Sequence, residues 1–220
     1  MAQNIYDNLE FHQHFMHLPS QTHGLAGAPE WLLFRSLIPS VINASILDLG
    51  CGAGWAKQTK EFPRSAVVVY KQADLETVGL EKEKFNIVLS SLVFHYIVDL
   101  PRLLKEIFES LKPGGSLIFS VEHLLYTQAT NPAWSKDATA LPGDNYFEEG
   151  QQTTDWLADG VLKVHRTFGT YANAMMDAGF VFGGVKEWGM EGKEMKDAEQ
   201  LADRRGRPRF LISKGMKPDS

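Results

Sequence analysis

The sequence contains little cysteine, no long apolar run and no excess of positive charge. Cys51 is the only cysteine among the 220 residues, so the chain can form no internal disulfide, as is typical of proteins from reducing compartments. No stretch approaches the ~18 consecutive apolar residues of a membrane-spanning helix. The amino terminus carries Asp7 and Glu10 and lacks the apolar segment of a signal peptide. These absences predict a cytoplasmic protein that has no membrane partner.

The charge balance is acidic, since 22 lysines and arginines stand against 27 aspartates and glutamates, for a formal net charge of −5. A nucleic-acid groove requires a basic stripe. The one local basic run, from Arg204 to Arg209, is better explained as a solvated turn before the last strand. The hydrophobic fraction of 44% suffices for a full core. We therefore expect one α/β domain that binds no nucleic acid.

A glycine-rich turn after the first predicted strand is the most informative part of the chain. The strand, residues 46–49, contains Asp48 and runs directly into Gly50, Gly52 and Gly54. Glycine adopts backbone conformations closed to other residues and lets a ligand approach the main chain closely. The spacing differs from the Gly-x-Gly-x-x-Gly of dinucleotide sites. Because a carboxylate beside the turn would repel a pyrophosphate, we expect a ligand with a cationic amino group.

Strands alternate with helices along the rest of the chain. Asp99 and Pro101 mark the start of one helix, whose apolar residues fall on a single face. This alternation predicts a doubly wound, Rossmann-like α/β fold with a mostly parallel sheet, closed by a C-terminal antiparallel edge hairpin. We predict strands at 46–49, 66–70, 85–90, 116–121, 180–188 and 208–214, and further helices at 30–37, 55–61 and 171–178.

Two parts of the chain differ from this regular pattern. Residues 1–40 mix polar and aromatic side chains at the spacing of short amphipathic helices, which predicts an N-terminal helical cap. The main domain is then expected at 41–220. Within it, residues 124–168 show no clear periodicity but carry several aromatics, so we interpret them as an inserted substrate-side segment.

Several motifs in consistent order resemble class I S-adenosylmethionine-dependent methyltransferases, in particular the small-molecule subgroup with a type 11 domain. Besides the glycine turn, they are residues 71–76, 90–96 and the Leu-Lys-Pro-Gly-Gly segment that begins at 111, followed by 120–123, 145–150 and 163–167. The resemblance implies S-adenosyl-L-methionine as cofactor and a small-molecule methyl acceptor as partner. It implies cofactor contacts at Asp48, Gly50, Cys51, Gly52, Gly54, Asp74, Leu75, Ser91 and Phe94.

The chain departs from this family between the glycine turn and Asp74. A helix-strand-helix-strand succession there needs roughly 35 residues, but residues 55–73 hold one predicted helix and one predicted strand. We infer that about twenty residues, one β-α unit, are missing. The acid that would bind the ribose hydroxyls is missing too, since no Asp or Glu lies between Glu61 and Asp74. The alternatives are an active methyltransferase, in which Asp74 or Glu76 takes over, and a non-catalytic remnant with impaired cofactor binding.

Polar residues near predicted strand ends are candidates for acceptor contacts or for a general base. His95 follows strand 85–90, and Glu122 and His123 follow strand 116–121 at the edge where ligands bind. His165, beside Arg166, is the fourth candidate. A structural role stays open for each of them. Aromatic residues that either wall an acceptor pocket or belong to the core are Phe94, Tyr96, Tyr146, Phe147 and Trp156.

Other chemistries fit the sequence less well. His12, His14 and His17 lack a glutamate in the spacing of known zinc motifs, so we predict no metal site. There is no Gly-x-Ser-x-Gly nucleophile elbow and no Gly-Lys-Ser/Thr phosphate loop. The glycine spacing and the missing ribose-binding acid also argue against a nicotinamide-dependent oxidoreductase.

Overall fold

The computed structural model of the chain describes residues 3, 5–52, 54, 68–127, 146–189 and 208–219. The strands are β1 (Ile46–Asp48), β2 (Phe85–Ser91), β3 (Leu111–Glu122), β4 (Gly150–Thr154), β5 (Val161–His165), β6 (Val181–Gly189) and β7 (Pro208–Met216). The α-helices are α1 (Leu9–Met16), α2 (Pro19–Thr22), α3 (Trp31–Leu37), α4 (Leu100–Ser110), α5 (Leu124–Thr127) and α6 (Phe168–Asp177).

Five strands form the central sheet in the order β1-β2-β3-β7-β6. The first three are parallel, and β7 runs antiparallel to both of its neighbours. This confirms the predicted Rossmann-like α/β fold with an antiparallel edge hairpin. None of the described helices has the length and hydrophobicity that a membrane span requires.

Apolar layers cover both faces of the sheet. On one face α4 and α6 pack against side chains such as Val88 and Phe119. On the other face Phe34 of α3 packs against Ile87 and Ile118. Neighbouring residues of a strand point to opposite faces, so β2 and β3 are buried on both sides, as is typical of central parallel strands.

Helix α4 begins as the sequence predicts, because the Asp99 carboxylate accepts a hydrogen bond from the Arg102 N–H at 3.2 Å. Leu103, Leu104 and Ile107 on its apolar face are at most 1% exposed. The following strand starts at Leu111, earlier than predicted. Pairing with β2 therefore already begins before the Pro-Gly-Gly turn, with a register shift near that turn.

The segment between β1 and β2 contradicts one prediction. Residues 68–70 of the predicted strand 66–70 form no strand, and Val69 is 84% exposed. The first two residues of that prediction, and the predicted helix 55–61, lie outside the described residues. No strand occurs anywhere in described residues 68–84. Within the described sheet β1 therefore pairs only with β2, and the inferred loss of a β-α unit stays a prediction.

The predicted insertion contains a hairpin that its sequence did not indicate. Strands β4 and β5 form a separate two-stranded antiparallel sheet. Phe11 of α1 is fully buried in a cluster with Val161 of β5, and its ring lies edge-on to Trp156 with centroids 5.6 Å apart. The N-terminal helix thus packs on this hairpin, whereas α3 packs on the central sheet.

Candidate functional site

The glycine turn after β1 is the first part of the candidate site. Gly50, Gly52 and Gly54 have φ values of +75°, +51° and +75°, which strongly favour glycine. A Cβ atom on Gly50 would lie 2.3 Å from Cγ2 of Val93, and one on Gly54 would lie 2.2 Å from the hydroxyl oxygen of Tyr70. A Cβ atom on Gly52 would meet no described atom within 4 Å. Among the described residues, none fills the space beside Gly52.

Two ionisable side chains accompany this turn. Burial raises the pKa of Asp48 to about 6, and no described residue donates a hydrogen bond to its carboxyl group. Burial and the charge of Asp48 raise the pKa of the Cys51 thiol. The thiol therefore stays neutral at neutral pH, and the carboxylate remains available to a cationic group.

Residues 74–80 form the second part of the site. Asp74 is exposed, and its Oδ1 accepts a hydrogen bond from the Glu76 N–H at 2.9 Å. The Glu76 carboxylate accepts bonds from the N–H groups of Val98 at 2.5 Å and Asp99 at 3.1 Å. Asp74 and Glu76 are the two acids predicted to replace the missing ribose-binding residue. Both carboxylate oxygens of Glu76 already accept hydrogen bonds from the protein backbone. Leu75 is partly buried against the core.

The end of β2 contributes one exposed and one buried candidate. Ser91 is exposed, and its hydroxyl oxygen accepts a hydrogen bond from the Ser120 hydroxyl at 3.3 Å. Phe94 is fully buried, and its ring centroid lies 5.0 Å from that of Phe119. Of the two alternatives for Phe94, pocket wall or core, the structure favours the core, and its predicted cofactor contact stays a prediction.

His95 and His165 are both buried and hydrogen-bonded within the protein. Burial, with Lys163 and Arg166 nearby, lowers the pKa of His95 to about 4 against the opposing charge of Glu122. The Nε2 atom of His165 lies 2.9 Å from the Tyr146 carbonyl oxygen, and Nδ1 lies 2.8 Å from Oγ1 of Thr127. Because a carbonyl only accepts, Nε2 carries the proton. Both rings have structural surroundings, and the structure does not favour either as a general base.

Glu122 forms a buried ion pair. Lys163, only 3% exposed, donates to the two Glu122 carboxylate oxygens at 2.7 and 2.8 Å, and its Nζ lies 4.5 Å from the ring centroid of Trp156. Burial by itself would raise the pKa of Glu122, but Lys163 and then His95 hold it below its usual value. The carboxylate is therefore ionised and neutralised by lysine, and it joins β3 to the β4-β5 hairpin.

Arg166 is likewise used inside the protein. Its Nη2 donates to the carbonyl oxygens of Ile97 at 2.7 Å and Val98 at 2.9 Å. The guanidinium lies 5.9 Å from the ring centroid of Tyr171, whose pKa burial raises to about 12. These contacts connect the end of β5 with α6 and with the loop after β2.

His123 is the one predicted catalytic residue that lines a described cleft. The cleft has a volume of about 290 Å³. The His123 Nε2 lies 2.9 Å from Oε1 of Glu187, and Nδ1 accepts from the Leu125 N–H at 3.3 Å. Glu187 lies on β6, where no sequence motif indicated it. Residues that line the cleft are His123, Leu124, Tyr146, Phe168, Val185, Lys186, Glu187 and Leu211.

The remaining predicted positions do not join this cleft. Phe147 is 87% exposed, and Tyr96 and Trp156 pack in the cluster around α1. Nδ1 of His14 lies 2.6 Å from the Leu157 carbonyl oxygen. Among the described residues, no group of three or more His, Cys, Asp or Glu side chains could hold a metal ion.

Comparisons with known proteins place this architecture in a family. The model of a methyltransferase domain matches residues 55–119. A crystal structure of an S-adenosylmethionine-dependent methyltransferase from Mesorhizobium loti is 34% identical, covers 88% of this chain and 100% of its own, and has a TM-score of 0.74. The chain belongs to the S-adenosylmethionine-dependent methyltransferases. S-adenosylmethionine is accordingly its cofactor.

Two curated relatives extend the comparison of this methyltransferase. An uncharacterized protein of Haemophilus influenzae is 27% identical over 247 aligned residues, 97% of each chain. Since this chain has 220 residues, the alignment contains positions without a counterpart here. The trans-aconitate 2-methyltransferase of Deinococcus radiodurans is 29% identical over 44% of this chain and 48% of its own length.

The glycine turn fits this cofactor. No described atom lies within 4 Å of a Cβ atom built on Gly52, and a glycine lets a ligand approach the backbone closely. The Asp48 carboxyl has no described donor, so it is available to the ammonium group of the methionine part. These observations favour Asp48 and Gly52 as cofactor contacts, while Gly50 and Gly54 are needed because Val93 and Tyr70 pack against them.

The pKa of Asp48 leads to a pH-dependent affinity. If Asp48 holds the ammonium group of S-adenosylhomocysteine, its carboxylate binds that group better than the neutral acid does, and the carboxyl is protonated below pH about 6. We expect the dissociation constant, measured by isothermal titration, to be constant above pH 7 and to rise towards tenfold per pH unit well below 6. Asp48→Asn should bind weakly with no such dependence. A wild-type affinity that is constant from pH 5 to 8 would contradict this role.

Proposed function

We propose that this methyltransferase transfers the methyl group of S-adenosylmethionine to a small organic acid. The observation that carries the catalytic part is the glycine turn at the carboxyl edge of a parallel sheet, where no described atom fills the space beside Gly52 and no described residue donates to the Asp48 carboxyl. The acceptor class is supported by the Deinococcus radiodurans relative, which is named for the methylation of trans-aconitate. No comparison supports a non-catalytic remnant over this activity.

The burial of the histidines also supports a carboxylate acceptor. His95 and His165 are buried, and both nitrogens of the His165 ring are engaged by Thr127 and Tyr146, so neither side chain is placed to take a proton from an acceptor. A carboxylate is already ionised at neutral pH and needs no general base. An acceptor that must lose a proton would need a base such as the hydrogen-bonded pair of His123 and Glu187.

The chain contributes mainly alignment to this reaction. The cofactor supplies a methyl group on a sulfonium centre that leaves as a neutral thioether. Asp48 holds the ammonium group, Gly52 allows close approach to the backbone, and the exposed Asp74 carboxylate accepts from the adenine amino group. Such positioning can account for ~7–11 kcal/mol of a reaction barrier.

Isothermal titration with S-adenosylhomocysteine tests the cofactor site before any acceptor is known. We expect micromolar binding by wild type and much weaker binding by Asp48→Asn. Radiolabelled methyl transfer from S-adenosylmethionine to a panel of small organic acids then tests the acceptor class, with the matching amides as controls. Folded protein that fails to bind S-adenosylhomocysteine would contradict the activity, and transfer to the amides but not to the acids would contradict the acceptor class.

A further inference from the structure

Arg102, in the first turns of α4, holds two backbone carbonyl groups of the segment 74–80. Its Nη2 donates to the carbonyl oxygen of Leu75, and Nη1 donates to that of Val78 at 3.0 Å. The Nε atom is buried and has no hydrogen-bond partner in the described structure. The guanidinium therefore bonds to this segment while its Nε–H has no partner among the described residues. A buried donor without a partner lowers the stability of the folded protein.

Two carboxylates complete the connection between this segment and the start of α4. Glu106 of α4 accepts a hydrogen bond from the Leu80 N–H at 3.1 Å. In the opposite direction, Glu76 accepts from the N–H groups of Val98 and Asp99. Side chains of α4 thus bind backbone donors and acceptors of the segment, and a side chain of the segment binds backbone donors at the start of α4. We call Arg102, Glu106 and Glu76 the α4 clamp.

The α4 clamp holds the backbone of the segment 74–80 with hydrogen bonds, as pairing with a neighbouring strand would in a sheet. Described residues 68–84 contain no strand, so no described strand ladder holds the backbone around Asp74. Within the segment, the N–H groups of Thr77 and Val78 bond to the Asp74 carbonyl oxygen. These local bonds shape the turn but cannot place it relative to the sheet. The planar guanidinium of Arg102 can fix the turn relative to α4 and the sheet, because it binds two carbonyl groups through rigidly oriented donors.

We propose that Arg102 is a positioning residue for cofactor binding, which holds Leu75 and Val78 so that the Asp74 carboxylate reaches the adenine amino group. The inference rests on the proposed function, because that function places Asp74 at the adenine. In this arrangement α4 supports the segment that carries Asp74, a role that the inferred missing β-α unit would otherwise have.

Two ligands that differ at the purine amino group test this role. S-adenosylhomocysteine carries the amino group, and S-inosylhomocysteine carries an oxygen there that would face the Asp74 carboxylate unfavourably. We expect wild type to prefer the adenosyl ligand in isothermal titration and Asp74→Asn to lose this preference. Arg102→Met should raise the dissociation constant for the adenosyl ligand about tenfold, as expected for loss of one charged hydrogen-bonding group, and should change that for the inosyl ligand little.

Further variants separate positioning from a general loss of stability. If Arg102 acts through Asp74, Arg102→Met should add no further loss in the Asp74→Asn background. Arg102→Lys, which retains a donor, should keep part of the preference and serves if Arg102→Met does not fold. Lys105→Met removes an exposed positive charge from the same helix and should leave both affinities unchanged.

The outcomes distinguish this inference from the proposed function. If folded wild type does not bind S-adenosylhomocysteine, the proposed function fails and the role of Arg102 fails with it. If wild type binds and prefers the adenosyl ligand, but both Arg102 variants keep the full preference, only the inference is overturned. Equal weakening of both ligands, together with a lower Tm, would show that Arg102 acts on stability alone.

Discussion

Gly52→Ala is expected to raise the dissociation constant for S-adenosylhomocysteine by tenfold to a hundredfold while the protein stays folded. A Cβ atom there meets no described atom within 4 Å, so it projects into the space proposed for the cofactor. Overpacking by one methyl group costs roughly 1–3 kcal/mol. Here this cost weakens ligand binding, because the methyl group would contact the ligand and not the protein. The φ of +51° adds about 1–2 kcal/mol of backbone strain to the folded protein. Isothermal titration and urea unfolding measure the two effects separately.

Gly50→Ala is the matched comparison, because its Cβ would lie 2.3 Å from Cγ2 of Val93. Valine is stiff about χ1, so the clash adds roughly 1–3 kcal/mol to the backbone strain and destabilises the free protein. Val93→Ala in the Gly50→Ala background should recover part of this loss but should not improve Gly52→Ala. Equal losses of unfolding free energy in Gly50→Ala and Gly52→Ala would show that the two positions do not differ in this way.

Lys163→Met is expected to lower the free energy of unfolding by about 3–5 kcal/mol, because it leaves a buried carboxylate without its partner. Both Glu122 oxygens accept from Lys163, which is 3% exposed. The Glu122 pKa is lowered in the folded protein. Its contribution to stability is therefore fully present above the ordinary glutamate pKa and is lost as the pH falls through the lowered value. Urea unfolding of wild type and variant at neutral and acidic pH measures both effects.

Two controls show whether the pair itself is responsible. The double variant Glu122→Gln/Lys163→Met removes both charges and should recover a large part of the stability, so the double-mutant cycle should not be additive. Lys82 and Glu109, 3.0 Å apart, form a surface pair whose lysine side chain is 76% exposed. Lys82→Met should have no measurable effect. A Lys163→Met variant as stable as Lys82→Met would contradict a structural role for the buried pair.

The sequence by itself determined the elements whose signals are local. The cap at Asp99 and the apolar face of Leu103, Leu104 and Ile107 specify α4 without any distant residue. The alternate glycines after Asp48 likewise indicate the turn. Glycine adopts positive φ without help from distant residues, and all three glycines have positive φ in the structure. The strand predicted at 66–70 failed over residues 68–70, since β-branched residues favour a strand only where a partner covers them.

The roles of the candidate site residues were decided only by the tertiary structure. Glu122 meets Lys163 across 41 residues, and His123 meets Glu187 across 64. The burial of Phe94, His95 and His165 depends on how the sheet packs against its neighbours. The hydrogen bonds that Glu76 accepts from Val98 and Asp99 likewise depend on the fold, which brings the segment 74–80 beside the loop before α4. A side chain's partners and pKa depend on what the fold brings to it from elsewhere in the chain. No local pattern carries that information, whereas glycine spacing and helix caps act within a few residues.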